Sequence, residues 1–220
     1  IESFNPDEFW TLTVNFQDNK KQSISASISQ VDGKKIEKFS FKNKFEIDAA
    51  IKVIKDKEFN INDISSKIVN RNPSGPFTTS TLQQVASSRL GFGASRTMQI
   101  AQRLYQGIEI DGETIGLITY MRTDGTNLSA DAVSDFRNYI KNEYGKEYLP
   151  ENPLNYSGKK AKNAQEAHEA IRPTDIERSP ESVKKYLSTD QQKLYNLIWG
   201  RALSSQMETA KFDRSTITIS

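Results

Sequence analysis

Apolar residues in the first third of the chain recur with the two-residue period of β-strands. Residues 23–29 alternate polar and apolar side chains, and residues 9–16 are rich in aromatic and β-branched types. Asp32-Gly33 is a typical hairpin turn, so residues 34–41 are predicted to form a partner strand. Helical spacing of apolar residues over 47–54 then predicts one short helix.

The segment 70–76 separates this β-rich part from a helical part. It holds two prolines and a glycine in seven residues, and these interrupt regular structure. We therefore predict a first β-rich region over 1–71, a helical domain over 72–207 and a return strand over 208–220. Because the last residues alternate again as in a strand, the helical domain is predicted to be an insertion in the β-rich one.

After residue 78 the apolar period changes to that of helices. One helix is predicted over 81–90, capped by Thr79 or Ser80, and a second follows Ser95. A hairpin turning at Asp111-Gly112 comes next. This order is the outline of a winged helix, although an ordinary helical hairpin packed on a β-ribbon fits the same pattern. The predicted fold class is α+β, with a winged-helix-like, CAP-like core in the helical domain.

Further helices are predicted in the second half of the chain. Ser129 is expected to cap a helix that ends near Glu143, and a long loop follows it. A short helix is predicted over 164–171, ended by Pro173. Two more are predicted over 181–187 and 189–207.

Composition narrows the functional classes. The chain has 30 basic and 28 acidic residues, so any binding to nucleic acid depends on local patches rather than on net charge. It has no cysteine and one histidine, which excludes thiolate and multi-histidine metal sites. No apolar run approaches the ~20 residues of a membrane span. Because the chain starts at Ile1 and stops within a predicted strand, we expect a fragment of a larger protein.

The segment 118–124 holds the most reactive combination of side chains. Tyr120 supplies a hydroxyl nucleophile, Arg122 a permanent cation and Asp124 a carboxylate. If the segment is extended, Tyr120 and Arg122 lie on the same face, which suits attack on a phosphodiester. The alternative is that Tyr120, one of eight tyrosines, is an ordinary packing residue.

A second cluster covers 165–173. His168 and Arg172 are four residues apart and share one face if the segment is helical. Both can donate to a phosphate, and histidine can also transfer a proton near neutral pH. Taken alone, the segment fits a solvated helix face with a charged pair better. It lacks the second histidine of a zinc-binding HExxH motif.

Several of these segments, in this order, resemble the type IA DNA topoisomerases. Met121 is typical of the bacterial topoisomerase I branch, whereas the topoisomerase III branch usually has proline at this position. Gly125 replaces a serine that is usual in the family, so no role is carried over to it. The matching segments are Pro76 to Gln84, Arg89 to Gly93, Gln102 to Tyr105, Leu117 to Asp124 and Gln165 to Pro173.

The resemblance implies a mechanism. Tyr120 would attack one DNA strand and hold its 5′ end as a phosphotyrosine, the other strand would pass, and the free 3′ hydroxyl would reverse the attack. Arg122 would bind the scissile phosphate, and His168 would contact DNA near the site and aid proton or phosphate handling. Five further residues are implied as supporting DNA-binding positions: Arg172, Gln102, Arg89, Asp124 and Thr123.

The resemblance also implies parts that this chain lacks. The family binds Mg²⁺ through carboxylates of a Toprim domain, and no such cluster is found here, so magnesium would belong to the full-length enzyme only. The β-rich region would be part of the family's arch domain. The expected partners are single-stranded and negatively supercoiled DNA and the missing domains of the same chain, with no membrane. The expected location is the bacterial cytoplasm, at the nucleoid.

Two other interpretations of the chain stay open. One is a winged-helix module that binds DNA without chemistry, and the other is a structural segment of the arch that binds nothing tightly. The chain alone is predicted not to relax supercoiled DNA.

Overall fold

The structure is a computed structural model that describes residues 5–31, 33–156 and 169–220. The chain divides into two compact units. One comprises Ile1–Ser65 together with Ser215–Ser220, and the other comprises Ser66–Arg214. Each unit is described separately below.

The first unit contains short antiparallel strands and one helix. Strand β1 (Thr13–Gln17) pairs with β2 (Ser23–Ser27), and β3 (Gln30–Val31) pairs with β4 (Lys34–Lys35). The partner strand predicted over 34–41 is therefore wrong in extent. The ladder has two residue pairs, the Ile36 backbone N–H donates to the Ser29 carbonyl beyond them, and Phe41 instead forms an isolated bridge with Trp10.

Helix α1 (Lys44–Ile54) completes this unit. The side chain of Asn43 caps it by accepting a hydrogen bond from the Glu46 backbone N–H at 3.0 Å. Ile47 is buried on its inner face, as the helical spacing of the apolar residues predicted.

Two long strands enclose the helical part of the sequence. Strand β5 (Ile61–Arg71) pairs with β8 (Ala210–Ile219), the last strand of the chain. Asn60 and Ser220 exchange backbone hydrogen bonds of 2.8 and 3.0 Å, which is the antiparallel pattern. The predicted return of the chain to a strand at its end is thus confirmed.

Helix α2 (Thr79–Leu90) opens the second unit and α3 (Ala94–Gln106) follows it. Thr78 caps α2 in a reciprocal capping box with Thr81, one residue before the predicted caps. Gly91 ends α2 with φ of 69°, a conformation that glycine adopts without strain. The predicted cap Ser95 lies inside α3, which begins after Gly93 without a side-chain cap.

A tight hairpin follows α3. Strands β6 (Ile108–Ile110) and β7 (Glu113–Ile115) pair across Asp111 and Gly112, whose φ angles of 50° and 90° are both positive. Such turns match the twist of two-residue hairpins, so the predicted turn is confirmed. Two helices followed by a hairpin are present in the predicted order, while the winged-helix assignment stays a prediction.

The rest of the second unit is helical, with irregular connections. Helix α4 (Ala130–Glu143) is capped by Ser129 as predicted, and α5 (Thr189–Ser204) is capped by Ser188. The helix predicted over 181–187 is only a 3-10 turn at Lys184–Tyr186, and a similar turn forms at Lys146–Tyr148. The largest fully buried side chains of this unit include Tyr195, Phe77, Phe136, Leu82 and Leu104.

The helix predicted over 164–171 is wrong in its described part. Glu169, Ile171 and Pro173 each form an isolated β-bridge, with Asn127, Phe77 and Ile118 respectively. These residues use their backbone groups for pairing with distant segments, which helical periodicity does not reveal. Residues 164–168 lie outside the described residues.

Among the helices that the structure describes, none combines the length and the apolar character needed to cross a bilayer.

Candidate active site

From Thr119 to Asp124 the chain has less exposed and more exposed side chains in alternation. Met121 and Thr123 are buried, with 1% and 7% of their surface exposed, whereas Tyr120 is 48% exposed and Arg122 is also exposed. This alternation has the two-residue period of an extended backbone, although the backbone bends at Thr119, Met121 and Arg122. Both Tyr120 and Arg122 are exposed to solvent, while the shared face predicted for a fully extended segment stays a prediction.

The N-terminal side of this segment is fixed by Thr119. Its hydroxyl donates to the carbonyl of Ala170 at 2.7 Å and accepts from the backbone N–H of Arg172 at 3.0 Å. Its own backbone N–H donates to the carbonyl of Arg172 at 2.9 Å. The residue before Tyr120 is therefore held on both its side chain and its backbone.

The C-terminal side is fixed by the first residue of α2. The hydroxyl of Thr79 lies 2.7 Å from the carbonyl oxygen of Met121 and 3.1 Å from that of Thr123. The same oxygen accepts from the Thr123 backbone N–H at 2.9 Å, and the Thr79 N–H donates to the Thr123 carbonyl. One threonine side chain thus organises the backbone on both sides of Arg122.

An aromatic neighbour flanks the candidate nucleophile. The ring of Tyr105, in the last turn of α3, contacts the ring of Tyr120 edge-on, with centroids 5.4 Å apart and an interplanar angle of 66°. Such a pair restricts ring orientation, and Tyr120 remains 48% exposed beside it. Tyr105 was not predicted as a site residue, because its position in a helix does not reveal its contact with Tyr120.

Arg122 lies between two shallow surface grooves. One runs past the start of α2 and is lined by Thr78, Thr79, Ser80, Arg122, Thr123 and Asp124. The other runs along α3 and is lined by Ser95, Met98, Gln99, Gln102, Arg103, Gln106 and Arg122. The structure therefore brings Asp124 and Gln102 to the same surface as Arg122.

The guanidinium of Arg122 has no ion pair or hydrogen bond with any of the residues in the described ranges. Exposed arginines presented in this way match two oxygens of a phosphate with their planar fork. Arg103, which lines the α3 groove, adds a second positive charge nearby.

Arg172 occupies a different environment. Its Nε and Nη2 donate to the two carboxylate oxygens of Glu169 at 2.7 and 3.1 Å, and its Nη1 donates to the carbonyl of Pro173. Its side chain is only 15% exposed. The guanidinium N–H groups of Arg172, which were predicted to bind DNA, thus donate to groups within the protein.

Glu169 links this pair to α4. Its carboxylate also accepts from the backbone N–H of Ser129, the cap of that helix, at 2.9 Å. Burial raises the pKa of Glu169, but the hydrogen bonds from Arg172 and Ser129 outweigh it, so the pKa lies below its ordinary value. Glu169 was not identified from the sequence as a residue of structural importance.

Three other predicted site residues have separate positions. Thr123 is buried, and its hydroxyl accepts from the Gly125 backbone N–H at 2.9 Å, so it shapes the loop rather than its surface. Arg89 lines a groove formed with β5 and α5, not the grooves beside Arg122. His168 lies outside the described residues.

The carboxylates of the described residues are dispersed. Within residues 5–31, 33–156 and 169–220, no group of three or more histidine, aspartate or glutamate side chains is close enough to hold a metal ion together. The donor set of these residues therefore does not fit a magnesium site of the carboxylate-cluster type.

Comparison with known proteins gives concordant matches. A family model described as DNA topoisomerase matches residues 1–220. DNA topoisomerase 1 of Rickettsia felis is 47% identical over 213 residues, which cover 97% of this chain and 27% of that protein. DNA topoisomerase 1 of Haemophilus influenzae is 45% identical over 219 residues, which cover 100% of this chain and 24% of that protein.

A solved structure agrees with these sequence matches. Full-length topoisomerase I from Thermotoga maritima superposes with a TM-score of 0.72 and 35% sequence identity, over 100% of this chain and 32% of that one. The chain spans about a quarter of the length of the curated relatives that it matches.

Proposed function

The chain belongs to the DNA topoisomerase family, in its bacterial type IA branch, and from this we propose that Tyr120 is the nucleophile that cleaves one DNA strand. The observation that carries the proposal is the exposure of both Tyr120 and Arg122 on a backbone that is fixed from both ends.

The proposed chemistry is a reversible transesterification. The phenol oxygen of Tyr120 attacks the phosphorus and loses its proton, the bond from phosphorus to the 3′ oxygen breaks, and that oxygen takes up a proton. The DNA 5′ phosphate is then bonded to Tyr120. Attack by the 3′ hydroxyl, after the other strand has passed, restores the strand without external energy because one phosphodiester replaces another.

Arg122 supplies the electrostatic part of this step. Its guanidinium is available to the two non-bridging oxygens of the scissile phosphate, where negative charge increases in the transition state. Gln102 and Asp124, which line the grooves on either side, are proposed to contact the DNA strand as it passes. His168 is proposed to contact DNA near the site and to aid proton or phosphate handling.

Arg172 is proposed to act by positioning. Its side chain is bonded to Glu169, while its backbone N–H and carbonyl bond Thr119, directly before the nucleophile. Its contribution to DNA affinity is therefore smaller than the sequence resemblance implied, and its contribution to the orientation of Tyr120 is larger.

The order of helices and hairpin favours a second candidate, a winged-helix module that binds DNA without chemistry. A sequence-specific reader needs a basic recognition helix. Of the two arginines on α3, Arg96 is paired with Asp190 and its guanidinium lies over the Phe92 ring. Arg103 alone remains for bases, which favours the catalytic proposal.

The activity of the whole protein is proposed on the same basis. It would relax negatively supercoiled DNA in the bacterial cytoplasm, at the nucleoid. Magnesium would be held by carboxylates outside this chain.

A labelled-adduct experiment tests the assignment of Tyr120. The complete protein is incubated with single-stranded DNA labelled at its 3′ end, magnesium is added, and the protein is denatured and separated. Because the 5′ phosphate of the downstream piece bonds to tyrosine, the label is expected to migrate with the protein. Tyr120→Phe should abolish the labelled band, while Tyr148→Phe, at another exposed tyrosine, should retain it.

A labelled adduct on the Tyr120→Phe protein would contradict the assignment, as would the absence of any adduct on the unaltered complete protein. The isolated 220-residue chain is expected not to relax supercoiled DNA. Relaxation by the chain alone, lost on Tyr120→Phe, would overturn that expectation.

A further inference from the structure

A second positively charged groove lies in the same unit, away from Tyr120. Three arginines line it: Arg71 at the end of β5, Arg89 in the last turn of α2, and Arg201 in α5. We call it the arginine groove. Thr79 and Arg89 are at opposite ends of α2, so about 15 Å of helix separates it from the Thr79 side of the candidate active site.

Arg201 lines this groove and also packs against a core ring. Its guanidinium lies 4.6 Å from the centroid of the Phe77 ring, which is fully buried. Burial lowers the pKa of Arg201, and the positive charge of Arg89 lowers it further. The two arginines from α2 and α5 are therefore close enough to repel each other, which is a cost that a bound anion would remove.

The described residues do not neutralise this charge. None of the three arginines forms an ion pair with a carboxylate of the described residues. Arg71 instead lies 5.8 Å from the centroid of the Phe212 ring. The one carboxylate that lines the groove belongs to Glu208, and it accepts a hydrogen bond from the Thr209 backbone N–H. Three positive charges and one negative charge leave the groove with a clear excess of positive charge.

The groove also offers apolar surface between the charges. Pro73, Leu197 and Met207 line it together with Gly200, whose missing side chain leaves open space. A positively charged groove that follows the phosphate backbone is the electrostatic part of a single-strand binding surface, in which bases usually stack on aromatic side chains; the apolar residues that line this groove are not aromatic.

We propose that the arginine groove binds the phosphate backbone of a single-stranded DNA segment, separately from the strand that Tyr120 cleaves. The proposal rests on DNA as the substrate, but it does not depend on Tyr120 being the nucleophile. Arg89 thus keeps a DNA-binding role at a different place from the one that the family resemblance implied.

Binding of a fluorescent 12-nucleotide oligothymidine to the complete protein tests this proposal. Fluorescence anisotropy is measured over a range of salt concentrations in a Tyr120→Phe background, so that cleavage does not contribute. Arg89→Ala with Arg201→Ala should weaken binding about tenfold at low salt, because two phosphate contacts are lost. The slope of log affinity against log salt should fall by about 1.4, or about 0.7 for each contact with a single strand.

A matched control removes the same charge elsewhere. Lys193→Ala with Lys141→Ala deletes two positive charges from the exposed surfaces of α5 and α4, neither of which lines the groove. The control should leave the slope unchanged. Equal slopes for the arginine pair and the lysine pair would overturn the proposal.

Single variants guard against loss of folding. Arg201→Ala removes a contact with a core ring and can therefore destabilise the fold, whereas Arg89 is exposed. Arg89→Ala alone should leave the melting temperature unchanged and lower the salt slope by about 0.7. An Arg89→Ala protein with an unaltered slope would also overturn the proposal. The two proposals can fail separately. If the unaltered protein forms no adduct but Arg89→Ala still lowers the salt slope, only the assignment of Tyr120 as the nucleophile is contradicted.

Discussion

The ring of Tyr105 packs edge-on against the ring of Tyr120, with 5.4 Å between their centroids. Tyr105 belongs to α3, while Tyr120 follows the β6–β7 hairpin. Gly116 brings the two segments close together, since a side chain there would lie 2.6 Å from the carbonyl oxygen of Tyr105. The orientation of the candidate nucleophile is therefore coupled to the end of a helix.

Removing the Tyr105 ring should slow formation of the adduct. Aromatic pairs contribute about 0.5–1.5 kcal/mol, so Tyr105→Ala should lower the single-turnover rate about two- to tenfold by releasing the Tyr120 ring. Tyr105→Phe keeps the ring and should retain the rate. If Tyr105→Phe were as slow as Tyr105→Ala, the hydroxyl rather than the ring contact would be responsible.

Thr79→Val should loosen the backbone around Arg122. The substitution removes the hydroxyl that bonds the Met121 and Thr123 backbones and nearly keeps the side-chain volume. Because buried backbone groups then lose a partner, the free energy of unfolding should fall by about 1–3 kcal/mol. Hydrogen exchange at the Thr123 amide should become faster and the urea midpoint of unfolding should fall. Thr79→Ser, which keeps the hydroxyl, is the control, and equal exchange in both variants would contradict the role of this bond.

Arg122→Ala should reduce adduct formation without destabilising the fold. The side chain is exposed and has no partner among the described residues, so the melting temperature should stay within about 1 °C of the original, as for most surface substitutions. Loss of one preorganised donor to the transition state costs about 10²–10³ in rate. Arg122→Lys should recover part of it, since the charge returns without the planar fork. An unchanged rate in Arg122→Ala would rule out the phosphate contact.

The Glu169–Arg172 pair should make stability depend on pH on the acid side. The folded pKa of Glu169 lies below its ordinary value of 4.5, so its contribution is fully present above that pH and is lost as pH falls through the folded pKa. At pH 7, Glu169→Gln should have a lower melting temperature than the original protein. The difference between the two should shrink as pH falls from 4.5 towards 3, and a constant difference over this range would contradict the assignment.

Turns and helix caps that depend on neighbouring residues were predicted correctly from the sequence. The turn at Asp111-Gly112 and the cap at Ser129 depend on neighbouring residues only, and both are where the sequence placed them. These features need no knowledge of the rest of the chain.

Features that depend on distant segments were not predictable in the same way. Glu169 and Ile171 pair with Asn127 and Phe77, so a segment with helical periodicity is extended. Arg89 belongs to a different groove because Arg201, more than a hundred residues later, lies beside it. The role of Thr79 was missed for the same reason, because its partners are on the Tyr120 segment and not on its own helix.

The hydrogen bonds that hold the Tyr120 segment also have a consequence for folding. Thr79 bonds Met121 across 42 positions in the sequence, and Thr119 bonds Ala170 across 51. Contacts of such separation are closed late, because the intervening chain loses entropy before they form. The hydrogen bonds from Thr119 to the residues near 170 therefore cannot form during synthesis until those residues have emerged.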